Sequence, residues 1–137
     1  MRYIELDHTA DLRFRVYGAD ERELFVNAAF AIADKMVALD AVRPAREITV
    51  EASGADIEET LVNFLAELLY GFDTEKFIAK EVEVRELSPS RVSALVRGEA
   101  LDPSRHEFKH HIKAVTFYDV HVTRGAEGFE VTITCDV

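Results

Sequence analysis

The chain has 137 residues, 48% hydrophobic and 31% charged, which fits one domain spanning 1–137 and excludes a disordered, collagen-like or coiled-coil protein. Acidic residues outnumber basic ones 26 to 16, giving a formal charge of −10; this excludes a duplex-wrapping basic protein and leaves no expectation of direct DNA binding, because phosphate neutralisation needs clustered Lys and Arg. The lone Cys135 excludes an internal disulfide, and no apolar run approaches the ~20 residues that span a bilayer, so the expectation is a reduced, cytoplasmic protein that meets no membrane.

Residues 2–17 alternate in sidedness. Ile4, Leu6, Ala10, Leu12, Phe14 and Val16 share one parity, and Glu5, Asp7, Thr9, Asp11, Arg13 and Arg15 the other. Period two predicts one strand, or two with a break near His8–Thr9. Residues 21–39 predict a helix: Asp20 is the N-cap, Glu23 completes a capping box, and Leu24, Phe25, Ala28, Ile32 and Met36 form a stripe. Residues 46–52 alternate again, with Ile48 and Val50 inward. A second helix starts at the cap Asp56 and buries Ile57, Leu61, Phe64, Leu65, Leu68, Leu69 and Phe72, with Gly71 as terminator.

Beyond residue 79 the pattern is β. Val82 and Val84, the turn Ser88-Pro89-Ser90, then Val92, Ala94 and Val96 predict a hairpin over 80–98. Residues 99–111 read as a polar connection. Over 113–123 the apolar parity slips, from Val115 and Phe117 to Val120 and Val122, which predicts a bulge near Tyr118–Asp119 or a strand break. Residues 129–137 alternate cleanly, with Phe129, Val131, Ile133 and Cys135 inward. The fold class is α+β, with two helices packed on one side of a mostly antiparallel, roughly six-stranded sheet.

The polar parities carry carboxylates. Asp7 and Asp11 lie on that of the first segment, Asp136 on that of the last, and the α-carboxylate of Val137 is one residue further on. Two Asp side chains with a terminal carboxylate would make an all-oxygen site for a hard cation, Ca²⁺ or Mg²⁺. The same acids read equally as unrelated surface carboxylates, since 26 of the 137 residues are Asp or Glu. His106 and His110 have a metal-ligand spacing, but no Cys pair completes a zinc set, and they read as solvated loop histidines. Lys113 reads as a strand-edge lysine. Glu99 could act as a base, as could any acidic loop residue. Cys135 reads as an inert core thiol. No nucleophile elbow or glycine-rich phosphate loop is present, and Gly98, Gly125 and Gly128 read as turn residues.

Three local patterns resemble one family. They are Asp7-His8-Thr9-Ala10-Asp11, then Gly98-Glu99 with His106 and Ile112-Lys113-Ala114-Val115-Thr116, and finally Asp136-Val137. Their order and spacing resemble archease, the small protein that assists the RtcB-type tRNA-splicing RNA ligase. The resemblance spans essentially the whole chain. The chain departs from the family pattern at Phe117, Tyr118, Phe129 and Cys135.

The resemblance implies a non-enzymatic activator that promotes guanylylation of the ligase's histidine and allows many turnovers. It implies a divalent cation, Ca²⁺ or Mg²⁺, held by Asp11, Asp136 and Val137. The implied partner is the RtcB-type ligase, with GTP and RNA reached through it. Asp7, His8, Glu99, His106 and Lys113 are candidate contacts to that partner or to phosphate. Two other functions fit the same acids: a small metal-dependent phosphohydrolase, and a chaperone-like adaptor whose carboxylates are structural.

Overall fold

The computed structural model describes residues 1–6 and 11–137. In chain order the elements are β1 (Tyr3–Leu6), β2 (Leu12–Gly18), α1 (Glu21–Met36), a 3₁₀ turn (Leu39–Ala41), β3 (Arg46–Ser53), α2 (Ile57–Glu75), β4 (Phe77–Ser88), β5 (Arg91–Ala100), β6 (Ala114–Val115), β7 (Thr123–Gly125) and β8 (Gly128–Asp136). This is the α+β class that the alternating and helical periods predict. The described strands number eight rather than about six, because the first segment and the slipped segment each form two strands.

The strands form two antiparallel sheets. One has the order β1-β2-β8-β6, with β7 also on β8; the other has the order β3-β5-β4. The first segment is thus two paired strands, and the expected parity does not run through both: Ile4 and Leu6 stand opposite Arg15 and Arg13, while Tyr3 and Glu5 stand opposite Val16 and Phe14. β8 is the centre of its sheet: β2 runs along one edge, and β6 and β7 share the other. The chain between β6 and β7 leaves the ladder and turns at Tyr118–Asp119, where Asp119 takes a left-handed φ of 51°. It rejoins out of register by an odd number of residues, which is why the apolar parity slips.

Both helices start as their sequence dictates. The Asp20 carboxylate accepts from the Glu23 amide at 2.8 Å, and the Glu23 carboxylate accepts from the Ala19 amide at 3.0 Å. Asp56 accepts from the Glu59 amide at 2.8 Å. α1 packs against β2 of one sheet and β4 of the other, and α2 mainly against β3 and β4. Small residues (Ala28, Ala29, Ala31, Ala33) let α1 be buried on most of its circumference. The rings of Phe25 and Phe64, 5.9 Å apart, join the helices inside the core. No helix among the described residues is long and apolar enough to cross a membrane.

Two glycines differ from expectation. Gly71 does not end the second helix. The apolar stripe continues to Phe72, which is buried and stacked on Phe108 at 6.2 Å, so packing carries the helix through. Lys76 makes the left-handed cap, with φ 57°. Gly98 is not in a turn but inside β5, opposite a bulge in β4, where a Cβ would run into the carbonyl oxygen of Ile78. Gly128, with φ +126°, does begin the final strand from a turn.

Candidate functional site at the end of the five-stranded sheet

The β2–β8 ladder pairs Leu12 with Cys135. One residue beyond that pair lie Asp11, in the bend before β2, and Asp136, the last residue of β8, both exposed. On the other side of β8, Ala114 pairs with Asp136, and the Lys113 amide donates to the Asp136 carbonyl at 2.8 Å. The segment starts at Asp11 and Lys113 and the segment end at Asp136–Val137 therefore meet at one end of the sheet. Asp7 and His8 lie outside the described residues.

Val137 lines a cavity of about 180 Å³ with Glu5, Leu12, Lys35, His110 and His111. Lys35 Nζ is 2.6 Å from the Glu5 carboxylate there. Among the described residues, no three His, Cys, Asp or Glu side chains are grouped so as to hold a metal ion. Asp11 and Asp136 would supply two side-chain oxygens to a cation at this end, and Val137 a backbone oxygen. Such an all-oxygen set matches the preference of a hard cation and not of zinc. Behind it, burial and the charge of Asp136 push the Cys135 thiol up to about 12, consistent with the expected inert core thiol.

Glu99 and His106 are brought together, but in the other sheet's half of the molecule. Glu99 is the next-to-last residue of β5, and its carboxylate accepts from the Arg43 amide (2.7 Å), Arg105 Nη1 and Nη2 (2.9 and 2.6 Å) and His106 Nε2 (3.0 Å). His106 Nδ1 accepts from the Asp102 amide at 2.9 Å, so Nε2 carries the proton given to Glu99. The His106 side chain is 0% exposed, so it is not the solvated histidine the polar connection predicts. The Arg105 bidentate pair, then the Arg43 amide, hold the Glu99 carboxyl well below the usual range against the opposing effect of burial. Reading residues 99–111 as a loop misses this cluster. The signal in the sequence is Asp102-Pro103-Ser104, a turn with the Asp102 carboxylate on the Ser104 amide at 3.0 Å, which folds His106 back onto Glu99.

A small α+β protein with two antiparallel sheets and paired carboxylates at the edge of one of them is the class that fold and site define. The profile of the Archease protein family (MTH1598/TM1083) matches residues 3–137. An archease of Archaeoglobus fulgidus is 42% identical over 139 residues, covering 100% of both chains. One of Methanopyrus kandleri is 38% identical over 127 residues, covering 90% of this chain and 91% of the other. The solution structure of Methanobacterium thermoautotrophicum protein 1598 superposes with a TM-score of 0.83 at 30% identity, covering 98% of each chain. The crystal structure of a Thermotoga maritima protein, described as an archease and possible chaperone, shares the fold with a TM-score of 0.70 at 16% identity over 96% of this chain and 94% of that one. The chain belongs to the archease family.

Proposed function

We propose that this protein is a cytoplasmic accessory protein to an RtcB-type tRNA-splicing RNA ligase, promoting guanylylation of the ligase and its multiple turnover. Asp11, Asp136 and a backbone oxygen of Val137 hold a divalent cation, Ca²⁺ or Mg²⁺. The observation that carries this reading is the register. Leu12–Cys135 pairing sets the exposed Asp11 and Asp136 each one residue beyond the end of the same ladder, and like charges on neighbouring strands favour an intervening cation.

A cation bound there would neutralise phosphate charge. Asp11 and Asp136 fix its position on two strands of one sheet, so it is presented on a rigid edge. Lys113, opposite Val137, offers a positive charge at the same edge. Asp7 and His8 are further contacts on the ligase side. Glu99 and His106 act at a distance from the cation by holding the 99–106 turn as one docking surface. Docking shifts the ligase toward its guanylylation-competent state only to the extent that the competent state is bound more tightly. GTP and RNA are reached through the ligase.

The experiment is reconstitution. The ligase is incubated with radiolabelled GTP, with and without substoichiometric amounts of this protein. Faster label transfer and many ligations per ligase are expected, and Asp11→Ala and Asp136→Ala should each remove most of the stimulation. Unchanged ligase kinetics would overturn the reading. Hydrolysis of phosphate esters by the protein alone would replace it with a metal-dependent phosphohydrolase on the same acids.

A further inference from the structure

The outer faces of the two sheets treat their arginines differently. On the three-stranded sheet, Arg91 pairs with Glu51, and Arg97 pairs with Glu47 at 3.0 Å. On the five-stranded sheet, Arg13 and Arg15 have no acidic partner among the described residues.

The register places hydroxyls beside them. Arg13 is opposite Thr134 and Arg15 opposite Thr132, and directly opposed residues share a face. Their neighbours Phe14, Val16, Val131 and Ile133 fill the core on the other face. Thr134 is 3% exposed and its hydroxyl has no hydrogen-bond partner, and neither has the buried Nε of Arg13. These are cross-strand partners. Each carries an N–H or O–H donor out of water with no acceptor, an arrangement native proteins avoid unless something satisfies it. Neither atom is open to solvent in this conformation, so an oxyanion accepts from them only once the Arg13 side chain lifts off the strand pair.

We propose that Arg13, Arg15, Thr132 and Thr134 form a phosphate-binding face. Residues i and i+2 on a strand are about 7 Å apart, close enough for two guanidiniums to converge on one phosphate or to straddle two linked ones. Asp11 and Asp136 border this face, so phosphate binds weakly until a divalent cation masks their charge. The ligand chemistry is a phosphate chain, found in both a nucleoside triphosphate and an RNA backbone. The inference stands on the Arg13–Thr134 pair and needs no ligase, so it can fail while the activator reading holds, and the reverse.

The test uses the whole protein alone. Tripolyphosphate, GTP and a single-stranded RNA octamer without terminal phosphate are titrated by calorimetry, with and without Mg²⁺, while the Arg Nε–H resonances are followed by NMR. Binding that shifts the Arg13 Nε–H signal is expected, strengthened by Mg²⁺. Arg13→Gln and Thr134→Val should each weaken it at least tenfold. Thr134→Val is near-isosteric and removes the orphaned hydroxyl, so it should fold at least as stably as the parent, which separates lost binding from lost structure. If tripolyphosphate and GTP bind and the octamer does not, the source is a nucleotide; the opposite pattern assigns RNA backbone. No binding of any probe at millimolar concentration, or binding indifferent to both substitutions, overturns the proposal.

Discussion

Leu12 and Cys135 are cross-strand partners at the end of the β2–β8 ladder, each one residue in from an exposed aspartate. Through this pair, the apolar core continues to within one residue of the site. The Cys135 thiol is sealed under the carboxylate edge. With its pKa pushed up to about 12, it is neutral across the physiological range. Almost none of it is thiolate, the reactive form, at pH 8. Iodoacetamide at pH 8 should therefore leave the native protein unmodified and label it fully in urea, as read by mass spectrometry. Rapid labelling of the native protein would contradict this placement.

The Glu99 cluster gives an acid-sensitive contribution to stability. The folded carboxyl lies below its ordinary value of 4.5, chiefly because of Arg105 and the Arg43 amide. A depressed carboxylate stabilises the fold fully above its unfolded value and loses that contribution as pH falls through its folded one. Urea midpoints should drop as pH is lowered below about 4.5, and Glu99→Gln should make that drop shallower. The comparison is of slopes, because the substitution also weakens the Arg105 pairing at neutral pH.

Gly98 and Gly71 should respond oppositely to alanine. A Cβ at Gly98 meets the Ile78 carbonyl across the β4 bulge, whereas a Cβ at Gly71 has nothing within 4 Å. Gly98→Ala should cost about 2 kcal/mol or more as the backbone moves aside. Gly71→Ala, in a helix interior, should stabilise by about 0.5–1 kcal/mol. Chemical denaturation of the two variants checks both signs.

Asp56 caps α2 through the Glu59 amide at 2.8 Å. Asp56→Ala should cost roughly 1 kcal/mol in unfolding free energy. Ligase stimulation should be unaffected, because the cap lies away from the Asp11–Asp136 edge.

Much of the fold is legible in the chain because its elements obey simple periods. The caps at Asp20 and Asp56, the 80–98 hairpin and the clean alternation after residue 128 all depend on neighbours within a few residues. What the sequence hides is non-local. The end of α2 is decided by Phe72 meeting Phe108, not by Gly71. The burial of His106 against Glu99 is completed by Arg43, which arrives from a distant segment to donate to Glu99. The site divides in the same way. Sidedness puts Asp11 and Asp136 on polar parities, but only the register brings them to one end of the sheet. The orphaned atoms of Arg13 and Thr134 leave no trace in composition or spacing.

The position of β8 fixes an order of events. The β3–β5–β4 sheet and α2 come from one contiguous stretch, residues 46–100, whose contacts are short in sequence. The five-stranded sheet must instead bring Leu12 to Cys135 across nearly the whole chain, and such long-range closures are slow. The part built from β3, β4, β5 and α2 can take shape before the β2–β8 ladder closes. A molecule that fails at this last closure lacks the Asp11–Asp136 end of the sheet altogether, so a population divides into copies that carry that end and copies that do not.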